Sequence, residues 1–318
     1  MIIEGCVPRL ESPTRAQFTE RFMNPQTPVI ISGATKHWKA HSAWTLDYLR
    51  LKIGRKQIRV KESATHLHPD LFSNIPSRYR ESEFSEYIDL VASNSPERNK
   101  RYLSGDEIRI LSDYTNVDPT FGLLRDDFET PGYFDREQIK TIGFWLSAQG
   151  VVASLHYDGD GCHNLNVQVK GKKRVLLFSP SQVLYPFSGL TSVGPQNFSQ
   201  VNIVNPDEGR FPGFRSVRCL EAVIEEGDML FIPSYWYHSV FHLGDFNINV
   251  NFWWPPDHFQ LTKTSFRATF LGLLGSALAE GRPFANPSEI KDAIQNLSPD
   301  TKRLLQKMEI LISQQYRI

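Results

Sequence analysis

His156-Tyr157-Asp158, with an isolated His238 far downstream, is the stretch whose reading decides the fold. Side chains two apart on a strand share a face, so on a strand His156 and Asp158 point into one cavity and Tyr157 points away. His238 follows Glu226-Gly227-Asp228-Met229-Leu230-Phe231-Ile232-Pro233, which reads as a tight turn, an apolar strand and a proline that ends pairing. A different strand thus delivers the third group. Two imidazoles and one carboxylate are the protein ligand set of a mononuclear non-haem iron(II) site, which leaves positions open for a co-substrate and dioxygen. The three-residue motif is weak alone and gains its weight from these β-rich surroundings.

Downstream, Asn164, Asn166, Gln168 and Lys170 alternate with Leu165, Val167 and Val169. Asn247, Asn249 and Asn251 alternate in the same way with Phe246, Ile248, Val250 and Phe252. Period-two patterns of this kind are half-buried strands. The polar face meets solvent in an ordinary sandwich and lines a wet cavity in a barrel that turns its histidines inward; the sequence leaves both open. Between the two strands lies Lys170-Gly171-Lys172-Lys173-Arg174, where Gly171 suits a hairpin turn. Its lysines are either a solvated charged hairpin or, for one that enters a barrel, partners of a carboxylate, since a buried ammonium needs an anion.

These segments, together with Trp236-Tyr237-His238 and Asn251-Phe252-Trp253, resemble the JmjC oxygenases of the cupin superfamily. The resemblance is nearest to the small cupin-like branch that holds an asparaginyl hydroxylase and a wybutosine-pathway tRNA hydroxylase, and it runs over roughly residues 100–255. It implies a mainly β protein: a double-stranded β-helix, or jelly-roll, core with flanking α-helices and a C-terminal helical extension. It further implies that His156, Asp158 and His238 bind Fe(II), that Lys173 takes the distal carboxylate of the co-substrate 2-oxoglutarate, and that Tyr102, in Arg101-Tyr102-Leu103-Ser104, hydrogen-bonds the same carboxylate. Asn164 and Asn251 match polar residues that line the pocket, and Trp253 matches an aromatic wall. Where the family often carries a threonine, three residues before the first histidine, this chain has Ala153, and Ser154 beside it faces the other way. The implied activity is hydroxylation of a substrate C–H bond at the expense of 2-oxoglutarate and dioxygen, with no general base required.

His163 and His242 are set aside as ligands because their spacing from the neighbouring ligands is read as placing them on the opposite strand face. Cys162 is placed near the cavity mouth. Cys6, Cys162 and Cys219 lack paired zinc spacing and read as free thiols in a reducing compartment. Over 318 residues the chain carries 35 basic and 35 acidic side chains, so there is no global drive towards nucleic acid. Its 40% hydrophobic content supports a sizeable core. No run approaches the ~18 apolar residues of a membrane span, and no basic-then-apolar leader opens the chain, so a soluble, cytoplasmic protein is expected. Lys52, Arg55, Lys56, Arg59 and Lys61 form a local basic cluster, read as an ordinary solvated strand and turn.

Three parts are expected: a mixed α/β region over 1–100 that flanks the barrel, a catalytic core over 101–255 and a helical region over 256–318. Within the first, a helix begins at Thr14-Arg15-Ala16-Gln17-Phe18, Pro28-Val29-Ile30-Ile31 is a strand, and a second helix begins at Trp44-Thr45-Leu46. The stretch from Tyr185 to Arg215 reads either as an inserted loop over the barrel mouth, where loops tend to carry specificity, or as a disordered insertion. In the last part Asn286-Pro287-Ser288-Glu289 and Ser298-Pro299-Asp300-Thr301 cap helices, and Leu304, Leu305, Met308, Leu311 and Ile312 share one face. Helix pairs at this end resemble those through which relatives dimerise, so a homodimer is expected. By family analogy the substrate is a protein side chain, followed by a tRNA base or a small metabolite. The competing class is a non-catalytic, metal-binding cupin.

Overall fold

The computed structural model describes residues 1–62, 79–103, 109–112, 122–158, 161–182, 184 and 197–256. Two sheets face each other. One has five strands in the order β1 (Ile2–Cys6), β12 (Arg218–Ile224), β11 (Lys173–Phe178), β14 (Tyr237–His242) and β9 (Val152–His156). The other has seven, in the order β2 (Arg9–Glu11), β3 (Val29–Ser32), β13 (Met229–Ile232), β10 (His163–Lys170), β15 (Phe246–Trp254), β8 (Thr141–Ala148) and β7 (Arg109–Ser112). A small third sheet orders β5 (Tyr79–Glu83), β4 (Gln57–Glu62) and β6 (Arg101–Leu103). Consecutive strands β10 and β11 lie in different sheets, as do β13 and β14, so the chain winds between the two facing layers as in the expected jelly-roll.

The alternations explain the layers. Leu165, Val167, Val169, Ile248, Val250 and Phe252 turn outward into the largest apolar cluster. There they meet Phe18 and Phe22, Trp38, Trp44, and residues of two helices, α3 (Leu46–Ile53) and α4 (Phe84–Ala92), which follow the short α1 (Arg15–Phe18) and α2 (Ala40–Ala43). Thr14 caps α1 in a reciprocal box with Gln17, and Thr45 caps α3 by accepting from the Tyr48 amide, so both helices start where the sequence places them. Behind them Asp127, buried, accepts from Trp44 Nε1 at 2.9 Å and Tyr48 Oη at 2.6 Å and ties the helical layer down. The N-terminal region also builds the sheets: β1 runs parallel to β12, and β3 pairs with β13.

The polar faces of β10 and β15 turn inward. Asn164, Asn166, Gln168, Asn247, Asn249 and Asn251 are all buried, so the alternation marks a cavity wall and not a solvent face. Facing them, Ala153, Val175, Leu177 and Val240 form the apolar lining of the five-stranded sheet. The second half of the expected mouth loop is packed and not loose. Phe198, Val201, Ile203, Phe211 and Phe214 are buried, and most of them lie with Leu155, Leu176 and Phe178 on the outer side of the five-stranded sheet. Lys52, Arg55, Lys56, Arg59 and Lys61 run from the end of α3 along β4. The C-terminal helices expected after residue 256, and with them the dimer contact, lie outside the described residues.

Candidate metal centre and co-substrate pocket

β9 ends at His156, and β14 carries His238 directly opposite it in the antiparallel ladder. The two rings lie 4.4 Å apart between centroids. Asp158 follows two residues after His156, and one ligand atom from each of the three side chains falls within 4.8 Å of the others. Tyr157 points away, as expected, into an aromatic group with Tyr235 and Tyr237.

The rings are fixed in one tautomer by the same device used twice. His156 Nδ1 donates to the Ser154 carbonyl at 2.7 Å, and His238 Nδ1 donates to the Trp236 carbonyl at 3.0 Å. A carbonyl only accepts, so the proton sits on Nδ1 and each Nε2 keeps its lone pair for a metal. Burial, then the neighbouring His238, pushes His156 down to about 4, which holds the imidazole neutral at physiological pH. Asp158 Oδ2 accepts from Asn164 Nδ2 at 2.9 Å, while Oδ1 lies 3.9 Å from His238 Nε2. One carboxylate oxygen is thus engaged by Asn164, and Oδ1 is the one turned towards His238.

A local irregularity makes this facing possible. His238 opposes His156 and Val240 opposes Ala153, so Ser154 and Leu155 together oppose the single residue Ser239. The β-bulge lets Ala153 and His156, three apart, share the inner face. Ser154 stays on the other side, where its buried Oγ has no hydrogen-bond partner among the described residues, and the inner position holds the Ala153 methyl.

Lys173 opens β11, is buried, and reaches across the interior to Asn249 Oδ1 on β15. Among the described residues no carboxylate pairs with it, and desolvation alone pulls its ammonium down to about 7. A buried ammonium without an anion costs free energy that a carboxylate ligand would relieve. Trp253 shares the inner face of β15 with Asn249 and Asn251, and its ring lies over Gly143 of β8, where an added Cβ would come within 2.7 Å of it. The chemistry of this donor set fits iron(II), and the lone ammonium fits the carboxylate of a 2-oxo diacid. Tyr102 lies on β6, paired with Lys61 of β4; its side chain is outside the described residues.

One expectation needs correcting. His242 lies four residues after His238, and four is an even step that keeps the face. It pairs in register with Lys173, is buried, and donates from Nδ1 to the Val151 carbonyl at 2.9 Å. Burial, with Lys173 next in effect, pushes it down to about 3, so it is a neutral neighbour of the lysine and no part of the metal cluster. His163 does face outward, against Phe231 and Trp254. Cys162, expected at the cavity mouth, is buried. Two residues of the site had no sequence signal that singled them out: Phe198, whose ring stacks on His156 at 4.8 Å and 9°, and Asn249.

A family model described as a cupin-like domain matches residues 15–259. The chain belongs to the cupin-like family. Among the relatives of this cupin-like chain is the human tRNA wybutosine-synthesizing protein 5, 33% identical in an alignment of 271 positions that covers 81% of each protein. Others are the Arabidopsis thaliana lysine-specific demethylase JMJ30, 32% identical over 76% of this chain and 52% of its own length, and the Danio rerio lysine-specific demethylase 8, 32% identical over 78% and 58%. The chain therefore spans little more than half of the two demethylases and most of the wybutosine-synthesizing protein. JmjC-type members of the family are in general iron(II)- and 2-oxoglutarate-dependent oxygenases, and this cupin-like chain is an enzyme of that class.

Proposed function

We propose that the chain is a hydroxylase in which His156, Asp158 and His238 hold iron(II) and Lys173 receives the distal carboxylate of 2-oxoglutarate, with Asn164, Asn251, Trp253 and Tyr102 lining the co-substrate pocket. The observation that carries this is the pairing of an oriented two-histidine, one-carboxylate cluster with a buried lysine that no carboxylate among the described residues meets, inside one barrel. When bound, the metal and co-substrate supply the oxidant for insertion of one oxygen atom of dioxygen into a substrate C–H bond, with 2-oxoglutarate leaving as succinate and carbon dioxide. The chain's own residues fix the ligand geometry, seat the carboxylate and line the pocket with a dry wall of Val175, Leu177 and Val240. A non-catalytic, metal-binding cupin has no use for a co-substrate carboxylate seat, which weighs against that alternative.

The substrate we favour is a protein side chain, the class of the demethylase relatives. A second reading, a modified tRNA base, rests on one specific observation: the match to the wybutosine-synthesizing protein covers four-fifths of both chains. A homodimer through the C-terminal helices belongs to the same proposal. No helix among the described residues is long and apolar enough to cross a membrane.

The test is succinate formation by anaerobically purified protein given iron(II), 2-oxoglutarate and then oxygen. His156→Ala and Asp158→Ala are expected to abolish turnover while their melting temperatures stay near that of the wild type. Undiminished succinate from His156→Ala would remove the metal assignment. Offering tRNA and protein fractions in parallel, with mass spectrometry for one added oxygen, separates the two substrate classes.

A further inference from the structure

We propose that Asn249 is a positioning residue for Asp158, acting through a single file of head-to-tail amides that begins at Lys173 and ends on the carboxylate. The inference rests on the reading that the His156, Asp158, His238 cluster holds a metal. Lys173 Nζ donates to Asn249 Oδ1, Asn249 Nδ2 donates to Asn251 Oδ1, Asn251 Nδ2 donates to Asn164 Oδ1 at 3.0 Å, and Asn164 Nδ2 donates to Asp158 Oδ2 at 2.9 Å. The file crosses from β11 to β15, then to β10, and reaches the segment after β9.

Its two ends dictate its direction. An ammonium only donates and a carboxylate only accepts, so every amide between them must turn its oxygen towards Lys173 and its nitrogen towards Asp158. Turning one amide over would set oxygen against oxygen on one side and N–H against N–H on the other, inside a wall where Asn164, Asn249 and Asn251 are each at most 3% exposed and water is not at hand to compensate. The aligned dipoles also polarise one another. The consequence falls on Asp158. With Asn164 nitrogen fixed on Oδ2, Oδ1 is the oxygen left towards His238. If the Asn164 amide reversed, its oxygen would repel Oδ2 and turn the carboxylate away from the metal. Asn249 hydrogen-bonds Lys173 and Asn251 and none of the three metal ligands, yet it decides which way Asn251 and then Asn164 point.

The test is the affinity for Mn(II) alone, without 2-oxoglutarate, read from the EPR signal of free manganese in wild type, Asn249→Leu and Asn249→Asp. Asparagine and leucine are close in shape. The aspartate still accepts from Lys173 but cannot donate to Asn251. Both variants are expected to lose about tenfold in Mn(II) affinity, in the range of lost outer contacts to metal ligands, and in an Asn164→Leu background neither should lose more. If Asn249→Asp binds like the wild type, or the effects add in that background, the relay is wrong while the metal reading stands. If the wild type binds no Mn(II), the metal reading itself falls. Thermal melting of each variant checks folding, and Asn249→Asp keeps the question answerable if Asn249→Leu does not fold.

Discussion

At the scale of single residues, Lys173 sets the energetics of the pocket. Its ammonium is pulled from the ordinary lysine range near 10.5 to about 7 by burial. Between those values the unfolded chain binds the proton that the folded chain does not, so this group makes the folded state more stable as pH rises from about 7 towards 10 and penalises it fully below about 7. The penalty is on the order of a few kcal/mol, at ~1.4 kcal/mol per pKa unit. Denaturant unfolding at pH 6.5 and 9 should therefore show the wild type gaining on Lys173→Met at the higher pH; a pH-independent difference would mean that the lysine is not desolvated. A bound carboxylate would restore the charge. Lys173→Met is accordingly expected to weaken 2-oxoglutarate binding to Mn(II)-loaded protein at least tenfold, by calorimetry, while Mn(II) still binds.

At the scale of elements, β8 and β15 show how a strand position is dictated by its neighbour. Gly143 has room for no side chain because the Trp253 ring lies across it, so Gly143→Ala should displace the ring and cost ~1–3 kcal/mol, seen in the melting temperature and in tryptophan emission. An unchanged spectrum would mean that the ring moves freely. The strands themselves were legible: period two in β10 and β15, the turn before β13 and the starts of the two helices near Thr14 and Thr45 are local signals with local causes. The sequence also singled out His156, Asp158 and His238, which the fold brings together, although Asp158 lies beyond the end of β9 and not on the strand that was expected to carry it. The bulge at Ser154 and Leu155 was not legible, because an extra residue leaves no mark in composition. His242 was misassigned through its spacing, although an even step from His238 keeps the face. The order of the amides in the barrel wall was also out of reach, since alternation tells which residues face inward but not which touch.

At the scale of the whole molecule, the expected dimer is testable directly. A chain ending before Ser298 should sediment as a monomer where the full chain sediments as a dimer; a truncated dimer would place the interface elsewhere. The architecture has one more consequence, and it concerns time. β1 pairs in register with β12, Ile2 against Arg218, and β9 with β14, His156 against His238. Contacts this distant must wait for the loops between them to close, which makes such topologies slow to fold. During synthesis the first strand emerges long before its partner exists, and His156 and Asp158 are exposed to solution while His238 is still being made. His156 and Asp158 can meet His238 only once β14 has been made, so a ribosome stalled short of residue 238 holds an incomplete cluster.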